Sequence, residues 1–120
     1  MNDDPPVGVK DNLLYVEHML ECIRRIVTYT ETKQQFYSSI LVQDATVRNL
    51  QVLAESSQRL SPTVKNRYPD IPWRAIAGFR NVLVHDYLGL DLDAIWTVVE
   101  QDLPSLKTAL TAIQEASRNT

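Results

Sequence analysis

The chain is poor in the residues from which most reactive and metal-binding sites are built. Cys22 is its only cysteine, so no intrachain disulfide can form, and a reducing cytoplasm is the expected setting. His18 and His85 are its only histidines. His18 and Cys22 lie four residues apart on one helical face, but two ligands do not make a zinc site. Glu17 and Glu21 share that spacing and read as a solvated face. With three glycines there is no glycine-rich phosphate loop, and neither an H-E-x-x-H metal motif nor a nucleophile elbow is present. No metal and no other cofactor is expected. No apolar run approaches the roughly 18 residues of a membrane span. Met1 to Pro6 is acidic and proline-bearing, which does not read as a secretory signal. Residues 1–10 are expected to be a mobile N-terminus and residues 11–120 a single domain. The net charge of −3 argues against a nucleic-acid footprint spread over the whole surface.

What remains is an ordinary globular composition, 44% hydrophobic and 22% charged, in a chain long enough for one core. The apolar spacing is helical almost throughout. Leu13, Val16, Leu20, Ile23 and Val27 form one stripe on a helix of about residues 11–29. Thr30 to Lys33 is a polar break. A second helix is predicted over about Gln34 to Leu60, with Ile40, Val47, Leu50 and Ala54 inward, ended by Ser61-Pro62. Residues 61–71 form a connector with one helical turn at Thr63 to Arg67. Pro72 suits the first turn of a third helix carrying Trp73, Ile76, Phe79 and Leu83 and reaching about His85. Gly78 in its middle suggests close approach by another backbone, from this chain or a second copy. Gly89 ends that helix and Asp91 caps the fourth. The fourth helix buries Leu92, Ile95, Val99, Leu103, Leu106, Leu110 and Ile113. Pro104 should kink it and free the carbonyl of Glu100. The predicted fold is all-α, an antiparallel bundle of four main helices with a short connector helix.

Charge is unevenly spread. Residues 59–80 hold Arg59, Lys65, Arg67, Arg74 and Arg80 against one anion, Asp70, whereas residues 81–120 hold six anions against two cations. The basic segment runs into Arg80-Asn81-Val82-Leu83-Val84-His85-Asp86-Tyr87, an R-x4-H-x-Y spacing. Arginine forks onto phosphate oxygens and histidine exchanges a proton near neutral pH. Together they can handle a phosphodiester without a metal. On a regular helix Asn81 and His85 share a face, while Arg80 and His85 are separated by about 140° of rotation, so a catalytic pair requires local unwinding or a sweep of the arginine arm. From spacing alone, the commoner reading is a core histidine beside a solvated arginine, or one paired with Asp86 or Asp91. Asp44 and Arg48 can form a surface bridge, or Asp44 can orient Arg80. Trp73 and Trp96 read as core or dimer-seam anchors rather than base-stacking platforms.

The stretch from Ile71 to Tyr87, IPWRAIAGFRNVLVHDY, strongly resembles the HepT toxins of the HEPN superfamily. Gln43 to Leu50 and Gly89 to Asp93 also resemble that family, and the similarity runs from about residue 10 to the end of the chain. It implies an all-helical homodimer acting as a metal-independent ribonuclease on tRNA or mRNA, encoded beside an MNT-type nucleotidyltransferase antitoxin. It makes Arg80 and His85 the catalytic pair and Asn81 a supporting residue. Tyr87 becomes the acceptor of AMP groups added by the antitoxin. The alternative is a non-catalytic helical partner of a nucleotidyltransferase, in which Arg80 and His85 hold a bound phosphate.

Overall fold

Helix α1 (Val9–Tyr29) turns Val16, Met19, Ile23 and Ile26 inward at steps of three and four, each at most 1% exposed. In the computed structural model, which describes residues 9–82 and 89–119, this face packs against α3 (Ile40–Arg59) and α8 (Leu103–Arg118). Between them lie α2 (Lys33–Ser38), α4 (Pro62–Arg67), α5 (Trp73–Ala77), α6 (Phe79–Val82) and α7 (Leu92–Thr97). A π-helical turn, Val98–Asp102, joins α7 to α8. Asn12 near the start of α1 bonds Ser61 just past the end of α3, so α1 and α3 run antiparallel. The fold is all-α, as predicted, with no strand among the described residues, and no helix among them is long and apolar enough to cross a membrane. The predicted mobility of residues 1–10 falls mostly outside the described residues.

The face of α1 is rotated from the predicted stripe. Leu13 and Leu20 are half-buried and Val27 is 53% exposed, while Met19 and Ile26 take the centre. The apolar arc of this helix is wider than one contact, and the positions of α3 and α8 select which part of it is covered.

The predicted second helix is broken at Ser39, which is extended (φ −126°, ψ 112°) and caps both neighbours. Its hydroxyl accepts from the backbone N–H of Val42 at 3.2 Å. The amide of buried Gln43 donates to the carbonyls of Phe36 (2.9 Å) and Tyr37 (3.3 Å), pairing two acceptors at the end of α2. The break directs Phe36 fully into the core and leaves Ile40, predicted inward, 74% exposed. The predicted break at Thr30 to Lys33 is present and ends in a capping box between Thr32 and Gln35.

The fourth predicted helix keeps its stripe: Ile95, Val99, Leu103, Leu106, Leu110 and Ile113 are buried, with Leu92 half-buried. The structure accommodates Pro104 by widening rather than by a simple kink. The π turn lets the N–H of Leu103 reach back to the carbonyl of Val98, and Pro104 then falls in the first turn of α8, where a missing N–H is tolerated. Gly78 separates α5 from α6 with an ordinary helical φ of −76°. A Cβ there would meet only the carbonyls of Ala75 (3.4 Å) and Arg74 (3.5 Å), so the close approach of another backbone is absent among the described residues.

Gln43→Leu keeps the volume and removes both bonds that close α2. The urea midpoint should fall by an amount equivalent to about 1–3 kcal/mol with an unchanged m-value. An unchanged midpoint would mean that the two carbonyls find other partners.

Candidate functional site

The region around Arg80 is held from two sides. On the upstream side, α4 begins with Pro62 in its first turn, and the Ser61 hydroxyl accepts from the N–H of Val64 at 3.3 Å. Ser61 is fixed in turn by Asn12, whose Oδ1 accepts from its N–H (3.0 Å) and whose Nδ2 donates to its Oγ (3.2 Å). The chain then folds back on itself. The Trp73 indole N–H donates to the carbonyls of Lys65 (3.2 Å) and Tyr68 (3.1 Å), pinning the end of α4 against the start of α5. Buried Ile76 and Phe79 seat α5 and α6 on α3. Arg80 follows Phe79 directly and is exposed, so the junction of core and surface falls at the first residue of the motif.

On the downstream side, Gly89 has φ +85°, a left-handed conformation that favours glycine. Among the described residues, its chain neighbours aside, no atom lies within 4 Å of where its Cβ would be, and the left-handed φ is the requirement that favours glycine. The Asp91 carboxylate accepts from the N–H of Ala94 at 3.1 Å, the predicted cap. Asp93 accepts from the hydroxyl of Tyr37, tying the start of α7 to α2. That bond, reinforced by burial, pushes the Tyr37 phenol up to about 12. The Tyr37 ring stands edge-on to Phe36, with centroids 5.3 Å apart, and Trp96 lies 5.5 Å from Phe36. Both tryptophans are therefore anchors within this chain.

Of the predicted site residues, Arg80 is exposed on α6, and Asn81 follows it on the same helix with its side chain outside the described residues. His85 and Tyr87 also lie outside the described residues. Asp44 and Arg48 are both exposed, and neither the predicted bridge between them nor a bond from Asp44 to Arg80 occurs among the described residues. His18 is exposed whereas Cys22 is buried, and burial pushes its thiol up. No group of three possible metal ligands forms among the described residues. Beside Phe79, a cleft of about 460 Å³ opens between α5 and α8, lined by Ile71, Pro72, Ile76, Leu106 and Ala109 with Asp70 and Asp102 on its wall. The sequence reading missed Asn12 and the Tyr37–Asp93 pair, because no local pattern marks a hydrogen bond between residues 49 or 56 positions apart, and it missed Gln43 because its bonds cross a helix break that the apolar spacing does not mark.

The family described as "Ribonuclease HepT-like" matches residues 19–113, which run from within α1 to within α8 and include the whole R-x4-H-x-Y segment. The chain belongs to the HepT-like ribonuclease family. A gamma-glutamylcyclotransferase and candidate RNase of Methanocaldococcus jannaschii is 36% identical over 88% of this chain, which spans about half (49%) of that longer protein. A "Probable ribonuclease HepT" of Thermococcus cleftensis is 35% identical over 78% of this chain and 86% of its own length. A second candidate RNase of M. jannaschii is 26% identical over 82% of this chain and 92% of its own length. No solved structure matches the chain. In this HepT-like chain the segment from Arg80 to Tyr87 is bracketed by α6, seated on the core, and by Gly89 to Asp93, anchored through Tyr37.

The Tyr37–Asp93 link has a spectroscopic consequence. A phenol whose folded pKa lies above its unfolded value of about 10 contributes stability below that pH and loses it as pH rises through the folded pKa near 12. Titration of tyrosine absorbance in the folded protein should show one phenol ionising near pH 12 that Tyr37→Phe removes and Asp93→Asn moves back toward 10. Persistence of the late phenol in Tyr37→Phe would reassign it.

Proposed function

We propose that this protein is the toxin half of a toxin–antitoxin pair of the HEPN/MNT kind, a homodimeric endoribonuclease acting without a metal in the cytoplasm. The observation that carries this reading is the family match over residues 19–113, within which Arg80, Asn81, His85 and Tyr87 keep the unbroken R-x4-H-x-Y spacing. The substrate is RNA, either tRNA or mRNA.

The chemistry follows from the residue types. The RNA 2′-hydroxyl gives up its proton to a base and attacks the adjacent phosphorus. The bond to the 5′-oxygen breaks, and that oxygen takes a proton from an acid. The products are a 2′,3′-cyclic phosphate and a 5′-hydroxyl end. Arg80 carries the cation that stabilises charge on the phosphorane oxygens, and Asn81 supports it. His85 supplies proton transfer. One imidazole does not serve readily as base and acid in the same step, and the motif contains no second histidine. Two His85 side chains brought to one cleft by a twofold dimer fill both roles. An MNT-type nucleotidyltransferase neutralises the enzyme by adding AMP to Tyr87, placing phosphate charge and bulk at the mouth of an anion site.

Unmodified protein should cleave end-labelled tRNA in EDTA and leave cyclic phosphate ends, while His85→Ala and Arg80→Ala lose about 10²- to 10⁴-fold in rate. Absence of cleavage by wild-type protein whose intact mass shows an unmodified Tyr87 would favour the non-catalytic partner instead. Full activity per dimer in a mixture of wild-type and His85→Ala chains would reject the shared acid and base. Tyr87→Phe should keep nuclease activity and accept no AMP from the cognate nucleotidyltransferase, so equal labelling of that variant would move the modification elsewhere.

A further inference from the structure

The cations of residues 59–80 outnumber the anions of that run five to one. Arg59, Arg67, Arg74 and Arg80 are exposed and Lys65 is half-buried. Among the described residues none of the five forms an ion pair, whereas Arg24 and Arg25 both engage Glu21 at 2.6 and 3.2 Å. In a protein with fifteen carboxylates and twelve cations, a run of unneutralised positive charge repels itself and is relieved by a polyanion.

The fold arranges three of these cations in order. The Trp73 indole draws the carbonyl of Lys65 against the start of α5, so the turn bearing Lys65 and Arg67 sits beside Arg74. From Arg74 the chain runs through Gly78 in helical geometry to Arg80. Six residues at about 1.5 Å rise and 100° of turn each place Arg80 about 9 Å further along and about 120° round from Arg74, so a strand that reaches both winds part-way round α5 and α6. Asp70 is the one anion that falls between these cations in sequence. Asp70 and Asp102 line the cleft between α5 and α8, and residues 81–120 carry six anions against two cations.

We propose that Lys65, Arg67 and Arg74 form a track for the phosphates of single-stranded RNA, leading along α4 and α5 to the scissile phosphate at Arg80. The assignment of the end of the track rests on the ribonuclease reading, but the track itself is a statement about binding. Contacts of this kind hold the strand in register without reading its sequence, and each shows as a salt-dependent contribution.

Binding of an uncleavable 2′-O-methyl oligonucleotide, followed by fluorescence anisotropy between 50 and 200 mM salt, separates the two statements. Arg67→Gln and Arg74→Gln should each flatten the slope of log affinity against log salt by about 0.7, and the double variant by about 1.4. Arg67→Lys and Arg74→Lys should restore the slope, and Arg118→Gln, at the far end of α8, should leave it unchanged. With cleavable RNA, the double variant should raise KM with kcat retained. A slope unchanged in the double variant overturns the track whatever the cleavage assay shows. Flattening without any cleavage by the wild type keeps the track and removes the nuclease. A double variant that binds RNA normally but fails to bind the nucleotidyltransferase overturns the track in favour of an acidic protein surface. No oligonucleotide binding by the wild type overturns both readings.

Discussion

The packing of α1 against α3 is the contact on which the rest of the molecule depends. Val16, Met19, Ile23 and Ile26 face Val47, Leu50, Leu53 and Ala54 within one buried cluster. Each large apolar side chain buried this way contributes about 1.5–3 kcal/mol. Because the two helices are antiparallel, the end of α3 returns to the start of α1, where Asn12 receives the turn that launches α4. The surface of α3 also carries α5 and α6. A motif that begins two-thirds of the way along the chain thus follows elements seated on a seam made of the chain's first half.

Polar side chains decide where the supporting elements stop. Gln43 closes α2, Asn12 and Ser61 close each other, and the Trp73 indole closes the loop between α4 and α5. Each pairs backbone or hydroxyl groups that helix ends leave open. Leaving such groups buried without a partner costs about 1–3 kcal/mol each, so these few residues select one arrangement among several that would bury similar apolar area. Their effect on chemistry is indirect. They set the entry to the motif at Arg80 and its exit at Gly89 to Asp93 within an otherwise apolar frame.

Charge follows the same division. Apart from Arg59 at the end of α3, the cations of the run lie on the short elements α4 to α6, while Asp91 and Asp93 follow at the start of α7, Glu100 and Asp102 in the π turn and Glu115 in α8. Short helices bury little area, and α4 buries no residue completely. Their surfaces are therefore free to be committed to a ligand, whereas the long helices spend most of theirs on the core.

The all-α class, the break that begins at Thr30, the Asp91 cap and the buried stripe from Ile95 to Ile113 were all legible in the linear order of residues. These features arise from periodicity and capping within a few residues, which a linear reading contains. The R-x4-H-x-Y spacing was equally legible, and it carried the family resemblance that the match over residues 19–113 bears out. Tertiary structure alone decided that Ser39 would split one predicted helix and turn Ile40 outward, that Met19 and Ile26 would displace Val27 from the core, and that a π turn would absorb Pro104. It also decided the partners of Gln43, Trp73 and Tyr37. Each of these outcomes is a choice between locally similar conformations, and it is settled by which distant groups arrive to be covered or hydrogen-bonded.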